Sequence, residues 1–395
     1  MQKKVLIVGQ NLRLGGVQRA LLNFVGYLSQ KEEYDVTLFC FGDGLLREEI
    51  PANVRVLSGC RKLQLIATPL AEVLSSRSKS DKAWRIGACF LAEIFGSSCV
   101  YQALFNAMDA NEQFDIAISY FSDVPNGLFN KGTAQYVREF SNANHKIAWL
   151  HTDPIRAGYT ADFCRKTYMG MERIVCVSKA CEEALLRLMP EAKGKTCVVY
   201  NYFPRERIQL LSSEKLFYTQ RDVTVHLVSV GRIDNETKRY HLIPKIVKEI
   251  IKNGFEDFSW DVIGDGPDLE SNQAKVQEEG LERYITYRGG CANPYPAIKN
   301  SDALVMMSAY EGYPMVVGEA MVLGTPVIST PYRAIAEQIT DRVNGLCPQN
   351  VEQLGIVLAD TMKTGTLKTL ARQAEETDIN GNFEKQFKKL IENVN

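Results

Sequence analysis

No stretch of about 18 uninterrupted apolar residues occurs in this 395-residue chain, which leaves no spanning helix to expect. Its ten cysteines form no C-x-x-C pair and no Cys/His cluster at metal-ligand spacing, so neither a zinc site nor a dithiol motif is expected. Cys40, Cys176 and Cys197 lie in apolar runs, where cysteine acts as a small buried hydrophobe. Charge of either sign is not in excess: 46 Lys/Arg face 47 Asp/Glu, a formal net of −1. Nucleic acid as a main partner would need a basic surplus and is excluded. The glycine loops match neither G-x-G-x-x-G nor a P-loop, since no Gly-Lys-Ser/Thr follows. No D-x-D sequence occurs, so the metal clamp that motif provides is missing. Only four apolar residues, Val5 to Val8, run up to Gly9, which reads as a first strand and not a signal peptide. The expected location is cytoplasmic and reducing.

What is present is ordinary globular composition, 45% apolar and 24% charged, too rich in apolar residues for disorder. The length suits two domains of about 150–200 residues each. Residues 1–200 hold 24 Lys/Arg and 20 Asp/Glu, and the remainder 22 and 27. Much of the basic surplus falls between Arg55 and Phe105, where seven bases (Arg55, Arg61, Lys62, Arg77, Lys79, Lys82, Arg85) face three acids (Glu72, Asp81, Glu93). That stretch hints at an anionic surface partner.

Short β-rich apolar runs alternate with amphipathic segments, the pattern of a parallel sheet covered by helices. Strands are predicted at 5–8, 36–40, 54–57, 116–119, 147–150, 174–177 and 198–200. Val17, Ala20, Leu21, Phe24, Val25 and Leu28 recur at helical spacing after the 9–16 loop. A polar stretch, 201–222, reads as a structureless linker. A second series then runs through 223–230, 260–263, 285–287, 303–307 and 326–328. Phe383, Phe387, Leu390 and Ile391 predict an amphipathic closing helix. The expected organisation is a first Rossmann-like domain over 1–200, a second over 223–380, and a closing segment over 381–395. Such a pair implies a ligand cleft between them. Segments 71–74, 84–95 and 100–104 read as helices with a wide apolar face, by preference core packing, with a membrane-surface or acceptor role as the alternative.

Four places depart from simple core building, and all fall where strands should end, the usual position of ligands in open α/β sheets. Gly15-Gly16 opens the first helix, where free N–H groups at a positive terminus suit phosphate, although a plain tight turn explains it equally. Trp149-Leu150-His151-Thr152-Asp153 runs from strand into polar residues; a lone His is more often structural, yet this position favours function. Arg232, at the tip of a strand, and Lys238, just before a helix, could neutralise a diphosphate, against the reading of a solvated basic loop. The fourth is Tyr310-Glu311-Gly312-Tyr313-Pro314-Met315-Val316-Val317-Gly318-Glu319. Pro314 suits a helix's first turn and leaves the N–H groups of Met315, Val316 and Val317 for phosphate. Glu319 on an apolar helix needs a hydrogen-bonded partner, and sugar hydroxyls would serve.

Glu311 and Glu319 form an E-x7-E pattern. With Gly15-Gly16, His151, Arg232, Lys238 and Gly264-Asp265-Gly266, in that order along the chain, the sequence resembles retaining glycosyltransferase family 4, of the GT-B fold. The resemblance covers essentially the whole chain and implies two Rossmann-like domains with parallel sheets facing a central cleft, closed by a helix crossing back to the first domain. It implies that Arg232 and Lys238 bind the donor diphosphate, that Glu311 contacts the transferred sugar, and that Glu319 holds the ribose. His151 matches the histidine near the sugar, Gly16 the glycine near the phosphates, and Gly264 with the 289–293 stretch, including Cys291 and Asn293, the nucleotide side. Tyr313, Pro314, Met315 and Val316 complete the implied donor site. Gln18 stands where an acid is common, and Arg239 where glycine often follows the lysine.

The implied reaction moves a sugar from a UDP- or GDP-sugar to a glycan or lipid-linked acceptor, retaining configuration, without a metal or resident cofactor. Preorganised cations and helix N–H groups would stabilise the leaving diphosphate. Bacterial polysaccharide or glycoconjugate synthesis is the expected setting, with peripheral membrane contact through the first domain at the inner face of the membrane as a further expectation. The rival readings are a sugar-nucleotide epimerase of the same fold, a catalytically inactive nucleotide-sugar-binding subunit, and a dehydrogenase, which would need the missing fingerprint.

Overall fold

The computed structural model describes residues 2–108 and 112–392. Two compact units emerge, one formed by Met1–Tyr202 with Asn382–Asn395 and the other by Phe203–Gly381.

The first unit is built on a seven-stranded sheet. Its strands are β1 (Lys3–Gly9), β2 (Tyr34–Cys40), β3 (Arg55–Ser58), β4 (Gln113–Ser119), β5 (Asn142–Leu150), β6 (Arg173–Cys176) and β7 (Thr196–Val198). All pair in parallel, in the order β3-β2-β1-β4-β5-β6-β7. Val5, Leu6, Ile7 and Val8 are all buried, which is why β1 is a continuous apolar run and not an alternating one. The helix Gly16–Ser29 turns Ala20, Leu21, Phe24, Val25 and Leu28 inward, as their spacing requires. The strand order reverses between β1 and β4, so their carboxyl ends open a crevice.

The second unit repeats the plan with β8 (Val225–Val230), β9 (Phe258–Ile263), β10 (Ile285–Gly289), β11 (Ala303–Met306), β12 (Val327–Ser329) and β13 (Gly345–Leu346). The order is β10-β9-β8-β11-β12-β13, again parallel and reversing between its first and fourth strands in sequence. Helix Ile243–Lys252 seats Ile243, Ile246, Val247 and Ile250 in this unit's core, each contributing roughly 1.5–3 kcal/mol by burial.

Two expectations about these elements need correction. The stretch 201–222 contains the helix Arg205–Leu211; Ile208 anchors it and Arg205 donates to the carbonyls of Glu375 and Thr377, 3.2 and 3.3 Å away. A single buried apolar residue is too weak a signal to stand out in a polar sequence. The strand read at 198–200 lies at Thr196–Val198, because pairing with β6 sets its register. The two-residue β13 carries no readable period. The closing helix Gly381–Glu392 buries Phe383, Phe387 and Leu390 in the first unit, Phe387 lying 5.6 Å from the Phe24 ring and Phe383 4.9 Å from Tyr27. Residues 393–395 of the predicted closing segment lie outside the described residues.

Residues 61–106 form four helices, Arg61–Ala67, Leu70–Ser75, Lys79–Phe95 and Ser97–Asn106. The third reverses the expected core packing. Its buried residues are Arg85, Ala88 and Ala92, while Ile86, Phe90, Leu91, Ile94 and Phe95 point outward, Phe90 with 66% of its surface exposed. Arg85 can be buried because its guanidinium lies 4.7 Å from the Phe129 ring and donates to Cys89 Sγ at 2.9 Å. Among the described residues no helix is long and apolar enough to cross a membrane.

Candidate active site

In the second unit, β8 and β11 end side by side, and their following loops carry most of the predicted residues. Asp234 organises the first loop: its carboxylate accepts from the N–H groups of Glu236 and Thr237 (3.0 and 3.3 Å), and its carbonyl from that of Lys238 (2.8 Å). The turn delivers the Lys238 ammonium to the Glu311 carboxylate, which also accepts from Ser308 Oγ at 2.9 Å. Ala309 N–H donates to the Thr237 carbonyl at 2.8 Å, fixing one loop to the other. Arg239 braces the same junction, Nε donating to the Met307 carbonyl (2.6 Å) and Nη2 to Thr330 Oγ1 (3.2 Å). Its backbone is left-handed, φ 57°, a conformation glycine adopts without strain. That accounts for glycine in the pattern the sequence otherwise resembles. Arg232 is exposed and makes no ion pair or hydrogen bond among the described residues, so Lys238 and Glu311 are brought together and Arg232 is not.

The helix Met315–Val322 begins beyond Glu311. Pro314 is its N-cap, at φ −63° and ψ 127°, one position earlier than predicted, and no side chain caps the helix. The first-turn N–H groups of Met315, Val316 and Val317 are orphans of the helix geometry, and no partner outside the helix engages them among the described residues. A positive terminus with free donors therefore sits next to the Lys238–Glu311 pair. Glu319 is buried in this helix and accepts from Tyr295 Oη at 3.2 Å, a protein partner that sequence reasoning missed. Tyr313 is also buried.

The other residues predicted on the nucleotide side have packing duties. A Cβ on Gly264 would come within 1.8 Å of the Gly231 carbonyl, and one on Gly266 within 2.2 Å of that of Ile233. These glycines let the loops after β8 and β9 touch. Asn293 donates to the Leu211 carbonyl and to Glu214 Oε2, both at 2.9 Å, and accepts from Tyr295 N–H at 3.1 Å. Cys291 is half-buried, and burial pushes its thiol up to about 11.

In the first unit, Gly15 caps the helix Gly16–Ser29 with extended backbone and no side-chain cap, so its terminus is also open. Gln18 folds back beside it: a Cβ on Gly15 would come within 2.5 Å of Gln18 Oε1, while the amide nitrogen donates to Asn11 Oδ1 at 2.9 Å. His151 follows β5, its N–H donating to Ser122 Oγ at 2.7 Å and its ring 4.7 Å from that of Tyr120. Its buried Nε2 has no hydrogen-bond partner among the described residues. Burial, and then the nearby Lys131 cation, push its pKa down to about 3, so the ring is neutral near pH 7. Asp153 is not its partner: that carboxylate accepts from the N–H groups of Ile155 and Arg156, 3.0 and 3.1 Å away, and holds a turn.

Two residues absent from the sequence reading complete this end of the sheet. Asp123, beyond β4, is buried, receives Thr133 Oγ1 at 3.2 Å, and is pushed up to about 7 by burial. Lys131 returns from the same loop to line a pocket of about 300 Å³ that His151 also lines. The strand-end rule that found His151 applies to β4 as well, but the seven residues between Asp123 and Lys131 hide the return. Among the described residues no group of His, Cys, Asp and Glu is arranged to hold a metal.

Residues 224–363, most of the second unit, match the family described as Glycosyl transferases group 1. An uncharacterized glycosyltransferase of Methanocaldococcus jannaschii, MJ1059, is 24% identical over 251 residues, 60% of this chain and 58% of the relative. The lipopolysaccharide 1,6-galactosyltransferase of Salmonella typhimurium is 34% identical over 118 residues, covering 28% of this chain and 31% of that enzyme. The chain therefore spans less than two thirds of these two relatives. Among solved structures, a mutant of S. aureus TarM, in complex with Fondaparinux, alpha-GlcNAc-glycerol and UDP, superposes with a TM-score of 0.70 over the full length of both chains at 12% identity. The architecture is that of GT-B glycosyltransferases, two Rossmann-like parallel-sheet domains.

Proposed function

We propose that this chain is a retaining, metal-independent glycosyltransferase that moves a hexose from a UDP- or GDP-sugar to a glycan or lipid-linked acceptor. The observation that carries the reading is the second unit's strand-end cluster, where the Lys238–Glu311 pair adjoins an uncapped helix terminus. Breaking an anomeric C–O bond leaves negative charge on a diphosphate. Lys238, Arg232 and the N–H groups of Met315, Val316 and Val317 are donors already ordered, or exposed and ready, to receive it. Glu311 would then exchange its lysine contact for the transferred sugar, and Glu319, with Tyr295, would hold the ribose. A neutral His151 can accept from or donate to a sugar hydroxyl without bringing a second charge.

The similarity to glycosyltransferases, one of them a lipopolysaccharide galactosyltransferase, supports a role in polysaccharide or glycoconjugate assembly. The outward face of Lys79–Phe95, with Lys62, Arg77, Lys79 and Lys82 near it in sequence and Arg61 paired with Asp81, supports docking on an acidic lipid surface at the cytoplasmic side. A thermal-shift screen of UDP and GDP, followed by turnover in excess chelator, tests the reading. One nucleotide should raise the melting temperature, and sugar transfer should survive chelation. Arg232→Ala and Lys238→Ala should each lose roughly 10²–10³-fold in turnover. Binding of neither nucleotide, or activity that returns only with a divalent ion, would sink it. Turnover of the donor without any acceptor would favour an epimerase.

A further inference from the structure

The pocket of about 300 Å³ in the first unit has an unusual lining. Ser122, Asn126, Lys131, His151, Thr152 and Tyr159 supply its polar groups, and no acid lines it. Asp123 lies behind it and is already engaged by Thr133 Oγ1 and the Ala134 N–H. Tyr159 donates its hydroxyl to the Asp123 carbonyl, fixing that wall. Lys131 forms no ion pair among the described residues; its ammonium rests 5.8 Å from the Phe121 ring centroid. Burial pulls its pKa down, and the Asp123 carboxyl behind the pocket offsets this only in part. Its backbone is left-handed, φ 76°, which a lysine rarely adopts, and Gly132 continues the turn at φ 73°. His151 Nε2 on the same pocket is buried with no hydrogen-bond partner among the described residues. An unpaired cation, amide and hydroxyl donors and an unsatisfied ring nitrogen around a monosaccharide-sized space ask for a ligand rich in oxygen and negatively charged.

We propose that this pocket selects an acceptor carrying an anionic group, a phosphate or a carboxylate, received by Lys131 with Asn126 and Thr152, while His151 faces a sugar hydroxyl. This rests on the transferase reading and adds to it the acceptor's class. Neither Lys131 nor its loop takes part in donor binding in that reading, so the two can fail separately.

Calorimetry on the full chain, saturated with UDP so that the second unit's diphosphate site is filled, decides the matter. D-glucose 6-phosphate and D-glucuronate should each bind at least about tenfold more tightly than D-glucose, the scale of one charge-assisted contact. Lys131→Arg should keep that preference. Lys131→Gly should abolish it, and because glycine takes the left-handed backbone freely, the variant should fold and bind UDP like the parent. Equal binding of the charged and neutral sugars, or a preference that survives Lys131→Gly, would overturn the proposal. Failure of the parent chain to bind any nucleoside diphosphate would overturn the transferase reading instead.

Discussion

Glu311 and Glu319 differ in what they already touch, and that difference predicts different kinetics. Glu311 faces an ammonium and a hydroxyl at a loop, whereas Glu319 is locked in a buried helix against Tyr295. If Glu311 meets the sugar as it gains oxocarbenium character, Glu311→Gln should lower kcat with little change in donor KM. Glu319→Gln should mainly raise donor KM and weaken binding of the nucleoside diphosphate product, measured by calorimetry; the reverse pattern would exchange the two roles. Asp123 yields a pH prediction. Its folded pKa of about 7 lies above the ordinary carboxyl value of 3.8, so between those values the folded state binds more protons and stability falls as pH rises. Asp123→Asn mimics the protonated form. Its melting temperature should therefore gain on the parent from pH 5 to pH 8, and a constant difference would remove the argument. At this scale the sequence exposed Lys238, Glu311 and Glu319, because charge in an apolar setting stands out. Asp123 and Lys131 were illegible, since what makes them unusual is burial and a positive φ, and neither is written in residue order.

At the scale of elements, the strong periods were readable and the weak ones were not. β1 and the helix Gly16–Ser29 announce themselves through unbroken or 3.6-periodic apolar residues. Arg205–Leu211 and β13 depend on one or two contacts each. Gly318 shows a further limit: a Cβ there would approach the Phe203 ring to 2.2 Å, a contact made by distant sequence. Gly318→Ala should destabilise the second unit by roughly 1–3 kcal/mol in denaturant titration. Adding Phe203→Leu should recover part of that loss, and strict additivity would deny the contact. The wide apolar face of segment 84–95 points to core packing, yet in the helix Lys79–Phe95 that face lies outward, because the buried side holds an arginine with two alanines. With acidic liposomes at low salt the chain should float, and Phe90→Ser with Phe95→Ser should leave it in the soluble fraction. A parent chain that stays soluble would end the membrane reading.

At the scale of the molecule, two alternating βα series were enough to anticipate two parallel-sheet domains, since each series must cover its own sheet. The closing helix belongs to the first unit although the chain reaches it only after completing Phe203–Gly381. A chain ending at Gly381 loses Phe383, Phe387 and Leu390 but keeps Asn380, which bonds Phe203 at 3.0 Å within the second unit. The first unit's thermal transition should fall, with about 4.5–9 kcal/mol of apolar burial removed, and the second unit's should hold. Equal falls in both would refute this. The same discontinuity sets a timetable during synthesis. At about 5–20 residues per second, a ribosome needs roughly 10–40 s to translate the second unit. For that interval Phe24 and Tyr27 of the nascent first unit lack the aromatic partners that the closing helix brings. The first unit thus keeps an uncovered aromatic face until the closing helix is made, and a stop just before that helix damages the part of the protein made first.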